Sequence, residues 1–191
     1  VVGSPRGSTI GGRDIGDVVS SLAKELKSGR EWGLRQELID LGDKAIKKLE
    51  MGIELTNNFA TVLENMPVKT QEQFTKYIHS LELALSNAKS AGVEGPQIGS
   101  SEEISDRCKQ EYWLSGKTER LVHVDCALES NEHDMNRLQQ AIEKCQALGG
   151  SPEIIDKAIA LHMRLDSELG MTRALSIIPT YRLPKKEGEE Y

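Results

Sequence analysis

The stretch Leu81-Glu82-Leu83-Ala84-Leu85-Ser86-Asn87-Ala88-Lys89-Ser90-Ala91-Gly92 decides the fold of this chain, because its apolar pattern returns further along. Leu81, Ala84, Leu85 and Ala88 lead to Gly92, and Leu138, Ala141, Ile142 and Cys145 lead to Gly149, each 57 residues after its counterpart (138 against 81). Steps of three and four put each set on one face of an α-helix, and a glycine behind the last apolar residue stops it. A short break rich in Gly, Ser and Pro follows each ladder, then a second helical run, so each copy reads as a helical hairpin. The second runs carry a further match, Gly116-Lys117-Thr118-Glu119-Arg120-Leu121 against Gly170-Met171-Thr172-Arg173-Ala174-Leu175, 54 residues apart (170 against 116). Self-similarity on this scale belongs to arrays whose units stack because none buries its apolar face alone. Around Ala45, Ile46 and Gly52 there is only a faint third copy, which leaves two divergent hairpins on a longer helical base.

Working outward, the 191 residues are 38% hydrophobic but only 4% aromatic, so the core must rest on Leu, Ile, Val, Ala and Met. Such residues favour helix on helix over a sheet. The expected fold is all-α, a bundle of about six helices built from antiparallel hairpins with extended termini. Residues 1–13, rich in Gly and Ser, read as a flexible arm, 14–178 as the bundle with hairpins near 78–121 and 135–175, and 179–191 as an acidic tail.

Ile15, Val18, Val19, Leu22 and Leu26 predict a first helix ending at Gly29. Leu34, Leu38, Leu41, Ala45, Leu49 and Ile53 predict the buried stripe of a second, which runs on through Val62, Leu63 and Met66 to Pro67. Thr70 and Gln73 form a capping box for a third, closed by Gly92. A loop over 93–100 leads to a fourth helix opening at Ser101, with Gly116 as a break, and Asn131 caps a fifth. Ser151-Pro152-Glu153 starts the sixth, whose core face is Ile155, Ala158, His162, Leu165 and Leu169.

A net charge of −6 gives no electrostatic footprint for nucleic acid or anionic lipid and points to a basic partner surface. No apolar run approaches the roughly 20 residues that span a bilayer. Cys108, Cys126 and Cys145 are odd in number and widely spaced, which fits a reducing, cytoplasmic compartment better than a disulfide framework. Val1 in place of Met fits a processed form or a fragment, so organelle targeting stays open.

Chemistry-bearing patterns are sparse. Ser115-Gly116-Lys117-Thr118 matches the end of a phosphate loop, but Glu111 stands where its first glycine belongs, and an exposed Lys117 on a helix is the expectation. His123, Asp125, Cys126 and His133 are of metal-ligating type, yet no second pair completes a tetrahedral set, so neither metal nor cofactor is expected. Nucleophile, base and orienting acid fall into no catalytic frame, and the chain reads as non-enzymatic. Candidate partner-binding residues are Trp32 and Trp113 as aromatic anchors, Arg6 and Arg13 in the arm, and Glu189, Glu190 and Tyr191 in the tail.

The ladder Leu-x-x-Ala-[Leu/Ile]-x-x-[Ala/Cys]-x-x-x-Gly with its second helix, over residues 78 to 175, resembles segments of large α-helical proteins of eukaryotic cilia and flagella. Talin-like and spectrin-like bundles carry similar ladders. Glu187-Gly188-Glu189-Glu190-Tyr191 resembles the end of α-tubulin, which glycine-rich cytoskeleton-associated domains recognise. These resemblances imply a structural scaffold or adaptor subunit of a cytoskeletal assembly such as the ciliary axoneme, with other subunits and microtubule-associated proteins as partners. The alternative is a regulatory module holding a peptide or helix in a groove between hairpins.

Overall fold

The computed structural model describes residues 9–10, 13–122 and 132–177. Six helices carry the fold: α1 (Ile15–Glu31), α2 (Gln36–Glu64), α3 (Gln71–Ser90), α4 (Pro96–Leu121), α5 (Glu132–Ala147) and α6 (Pro152–Ile177). The all-α expectation holds. A two-residue ribbon precedes them, β1 (Thr9–Ile10) antiparallel to β2 (Arg13–Asp14), so part of the expected arm is ordered against α1. Asp14 then caps α1, its carboxylate accepting from the Gly16 N–H at 2.9 Å. The chain divides into two compact units, Val1–Lys109 and Gln110–Tyr191. The first holds α1, α2, α3 and the opening half of α4, and the second holds the rest of α4 with α5 and α6.

Three of the helices end by one backbone device. After α1 the Leu34 N–H bonds the Gly29 carbonyl at 2.9 Å and the Gly33 N–H that of Arg30 at 3.3 Å. After α3 the same pair runs from Val93 to Ala88 and from Gly92 to Lys89, and after α5 from Gly150 to Cys145 and from Gly149 to Gln146. This is the Schellman closure, which satisfies the last carbonyls and needs a left-handed residue behind the helix. Gly33, Gly92 and Gly149 supply it at φ of 75°, 74° and 66°.

Aligning these three glycines makes the repeat threefold. Leu22, Leu26 and Gly29 precede Gly33 at the spacings by which Leu81, Leu85 and Ala88 precede Gly92, and Leu138, Ile142 and Cys145 precede Gly149. Beyond the glycine come Ile39, Ile98 and Ile155 (39 against 33, 98 against 92, 155 against 149), then the small residues Gly42, Ser101 and Ala158. An ion pair recurs as well. Arg30 meets Asp43 at 2.6 Å in the first hairpin and Lys89 meets Glu102 at the matching positions of the second, where the third has Gln146 and Ile159.

The third copy therefore lies at Leu22–Gly42 and not near Ala45 and Gly52. Two departures conceal it: Glu25 stands where the others have Ala84 and Ala141, and Gly29 replaces Ala88 and Cys145. Gly29 does not stop α1. It is buried inside the last turns, where an added Cβ would stand 2.3 Å from Leu34 Cδ1. The match offset by 54 has no counterpart in packing, since Leu121 is buried and Leu175 is exposed.

Helix α2 corrects the expected stripe. Ile39, Leu55 and Val62 are buried, whereas Leu34, Leu38, Leu41 and Ala45 are exposed. At its start α2 turns another face to α1, with Leu26 lying on Gly42 so closely that a Cβ there would meet Leu26 Cδ2 at 2.4 Å. Further on, Leu55 packs with Ala84, Leu85 and Ala88 of α3, joined by Met51, Val93 and Ile98. Helix α4 begins at Pro96 rather than Ser101 and runs unbroken through Gly116, because Pro suits the first helical position. Thr70 caps α3 as expected, its hydroxyl accepting from the Gln73 N–H at 3.2 Å.

In the second unit Leu114 and Leu121 of α4 join Met135, Leu138, Ile142 and Cys145 of α5 and Ile155, Ala158, Leu161, Leu165 and Leu169 of α6 in one apolar core. Leu161 is buried where His162 had been expected, and His162 is half-buried. Buried Glu111 accepts the Ser151 N–H at 2.7 Å, so the start of α6 is tied to α4 by a charge-assisted bond.

Candidate functional site

The turn from α1 to α2 gathers the large apolar residues that the first hairpin leaves in solvent. Trp32 caps α1, its N–H bonded to the Ser28 carbonyl at 3.0 Å and its indole 81% exposed. Leu34 rests on Gly29, yet stays half in solvent, and Leu38 and Leu41 follow on α2, the latter 62% exposed. The other two hairpins serve as internal controls. Where the first carries Trp32, Leu38 and Leu41, the second has Ala91, Gln97 and Ser100 and the third Leu148, Ile154 and Lys157. The hairpin turn itself therefore does not require Trp and two Leu. Exposed apolar residues close in sequence and rimmed by charge, here Glu37 and Lys44, make this corner the candidate interaction surface.

Of the residues singled out in the sequence, Trp32 lies on this surface. Trp113 does not. It is half-buried on α4 against the core of the second unit, with Lys117 Nζ 5.8 Å and Arg137 Cζ 5.5 Å from its ring centroid. Two cations on its face make it a covered core edge. Lys117 is only partly exposed and pairs with Asp134 at 3.0 Å, and Ser115-Gly116-Lys117-Thr118 lie within α4, so no phosphate loop forms there. Arg13 belongs to β2. Arg6, Glu189, Glu190 and Tyr191 lie outside the described residues, as do His123, Asp125, Cys126 and Asn131.

Among the described residues no group of three or more metal-ligating side chains occurs. Cys108 and Cys145 are buried as small apolar residues, and His133 is exposed on α5. The expected stripe runs from Leu34, Leu38, Leu41 and Ala45 to Leu49, but the next step of three from Ala45 lands on Lys48, the signal that this face meets solvent. A second exposed apolar set, Met163, Met171 and Leu175, lies on α6.

Between α3 and the first half of α4 runs an open groove of about 510 Å³. Two ion pairs cross it, Lys89 with Glu102 and Lys109 with Glu82, the latter at 2.9 Å. Hydrogen bonding to Glu82, and then to Asp106, holds the Lys109 ammonium above its usual range against the opposing effect of partial burial. The groove's charges thus satisfy one another.

No family model, curated protein or solved structure matches this chain. Among the described residues no helix is long and apolar enough to cross a membrane.

Proposed function

We propose that this protein is a non-enzymatic scaffold or adaptor subunit, built as a three-hairpin helical array, that joins a larger cytoskeletal assembly through the corner between α1 and α2. The observation that carries the reading is the exposed set Trp32, Leu34, Leu38 and Leu41, present in one hairpin and replaced at all four positions by smaller or more polar residues in at least one of its two copies. Large aromatic and aliphatic side chains held on rigid helices dominate interface energetics. The finer setting, the ciliary axoneme, is supported by the resemblance of the hairpin ladder. The groove between α3 and α4 favours the second reading, a regulatory module that holds a peptide, but its charges are already paired.

Affinity purification of the tagged chain from ciliated cells tests this. A salt-resistant complex of fixed composition in the cytoskeletal fraction, lost on Leu41→Asp or Trp32→Ala with helicity unchanged, is the expected result. A complex that survives both substitutions sinks the docking reading, and a reversible micromolar partner lost on Lys89→Glu favours the groove.

A further inference from the structure

Helix α2 carries one continuous seam with heptad spacing, Leu38, Leu41, Ala45, Lys48, Gly52, Leu55, Phe59 and Val62, in steps of three and four, and Leu34 lies in the turn just before it. Its second half is occupied: Leu55 packs on α3, and a Cβ at Gly52 would lie 3.9 Å from Val93 just past the end of α3. Among the described residues nothing covers its first half, because α3 has 20 residues against the 29 of α2 and ends before reaching it. We infer that a second copy of this chain covers that half, its α2 lying antiparallel about a two-fold axis. This inference rests on the reading of the corner as a docking surface and names its occupant.

Charge selects the partner and the direction. Glu37 and Lys44 lie seven residues apart on one edge of the seam, and both are exposed. Neither forms an ion pair among the described residues. In an antiparallel pair centred between Leu38 and Leu41, Leu38 of one copy meets Leu41 of the other, and Ala45 faces the turn before the other copy's α2. Each Glu37 then stands beside the Lys44 of the other copy, twice by symmetry. A two-fold interface requires such a self-complementary patch. A parallel pair would instead set Lys48 against Lys48 in the seam and put Gly42 opposite Glu37, wasting one charge and opposing another. In the antiparallel arrangement Lys48 falls past the start of the other copy's α2, outside the paired seam.

Sedimentation equilibrium on the full chain, with native mass spectrometry, tests the pairing. The mass is expected to rise with concentration from 21.1 kDa towards twice that value. Leu41→Asp should hold it at the monomer with helicity unchanged. Glu37→Lys and Lys44→Glu, both fully surface changes, should each weaken self-association at least about tenfold, because each sets like charges together twice. Mixed with each other, these two single variants should form a one-to-one heterodimer of near wild-type strength, and the double variant should recover the homodimer. A monomer at every concentration overturns the inference, as does a dimer indifferent to Leu41→Asp and to both charge reversals, or a mixture that fails to associate. A monomeric chain whose Leu41→Asp variant still loses its complex in the capture experiment defeats the two-fold pairing while leaving the docking surface. A seam dimer whose loss leaves that complex intact supports the pairing and removes the docking reading.

Discussion

Gly33, Gly92 and Gly149 hold positive φ with open space around their Cα atoms, so the cost of replacing them is conformational and not steric. Alanine at any one should lower stability by about 1–2 kcal/mol, read as a fall in thermal midpoint. Gly170→Ala is the control. That residue lies within α6 with ordinary φ and nothing in reach, and the change should raise stability by up to about 1 kcal/mol. The hydroxyls of Ser101 and Ser105 are buried without a hydrogen-bond partner, so Ser105→Ala should be neutral or stabilising in denaturant unfolding, and a loss above about 1 kcal/mol would contradict that account. Lys109 gives a pH signature. Its folded-state pKa lies above the ordinary 10.5, so the stability it adds is complete below that pH and disappears as pH rises through the folded value. The midpoint difference between the wild type and Lys109→Met should therefore stay constant through neutral pH and close only in strong alkali.

At the scale of the element, equal-looking leucines differ by their neighbours. Leu138→Ala, in a packed core, should cost about 2–5 kcal/mol, whereas Leu41→Ala should change monomer stability by no more than about 0.5 kcal/mol. Such a contrast was only half legible in the sequence. The ladders at Leu81 and Leu138 could be read because each buried residue keeps helical spacing up to its glycine. The copy at Leu22 could not, since Gly29 and Glu25 remove two of its apolar marks while the backbone closure persists. Spacing also puts Leu38 and Leu41 on one stripe of α2, with Leu34 in the turn before it, but cannot say which stripe faces α1, because Gly42, which lets Leu26 approach, has no side chain to register in an apolar pattern. Of the exposed corner, Trp32 alone stands out in the sequence as more than core. Trp113 had the same residue type and the opposite fate, decided by Lys117 and Arg137 converging on it from α4 and α5.

For the whole molecule, self-association through α2 makes stability a function of concentration, because dimerisation draws the equilibrium towards the folded chain. The thermal midpoint of the wild type should climb as protein is added, and that of Leu41→Asp should stay flat; a flat wild-type curve would count against the dimer. Surface ion pairs should matter far less at this scale. Arg30→Met or Asp43→Asn, breaking an exposed pair, should cost no more than about 1 kcal/mol in calorimetry.

Three hairpins closed by the same glycine turn also fix the order in which this chain can acquire structure. Leu26 on Gly42, Leu55 on Ala84 and Leu138 beside Ile155 join segments that are neighbours along the sequence, so no early helix waits for a distant strand or terminus to complete it. Short loops close quickly, and topologies rich in local pairing fold fast. The first hairpin has its ribbon, its Asp14 cap and its Gly33 turn before any residue of α3 is needed, and can therefore form while the rest of the chain is still being translated. A nascent chain long enough for Pro67 to have left the ribosome would then already present Trp32, Leu38 and Leu41.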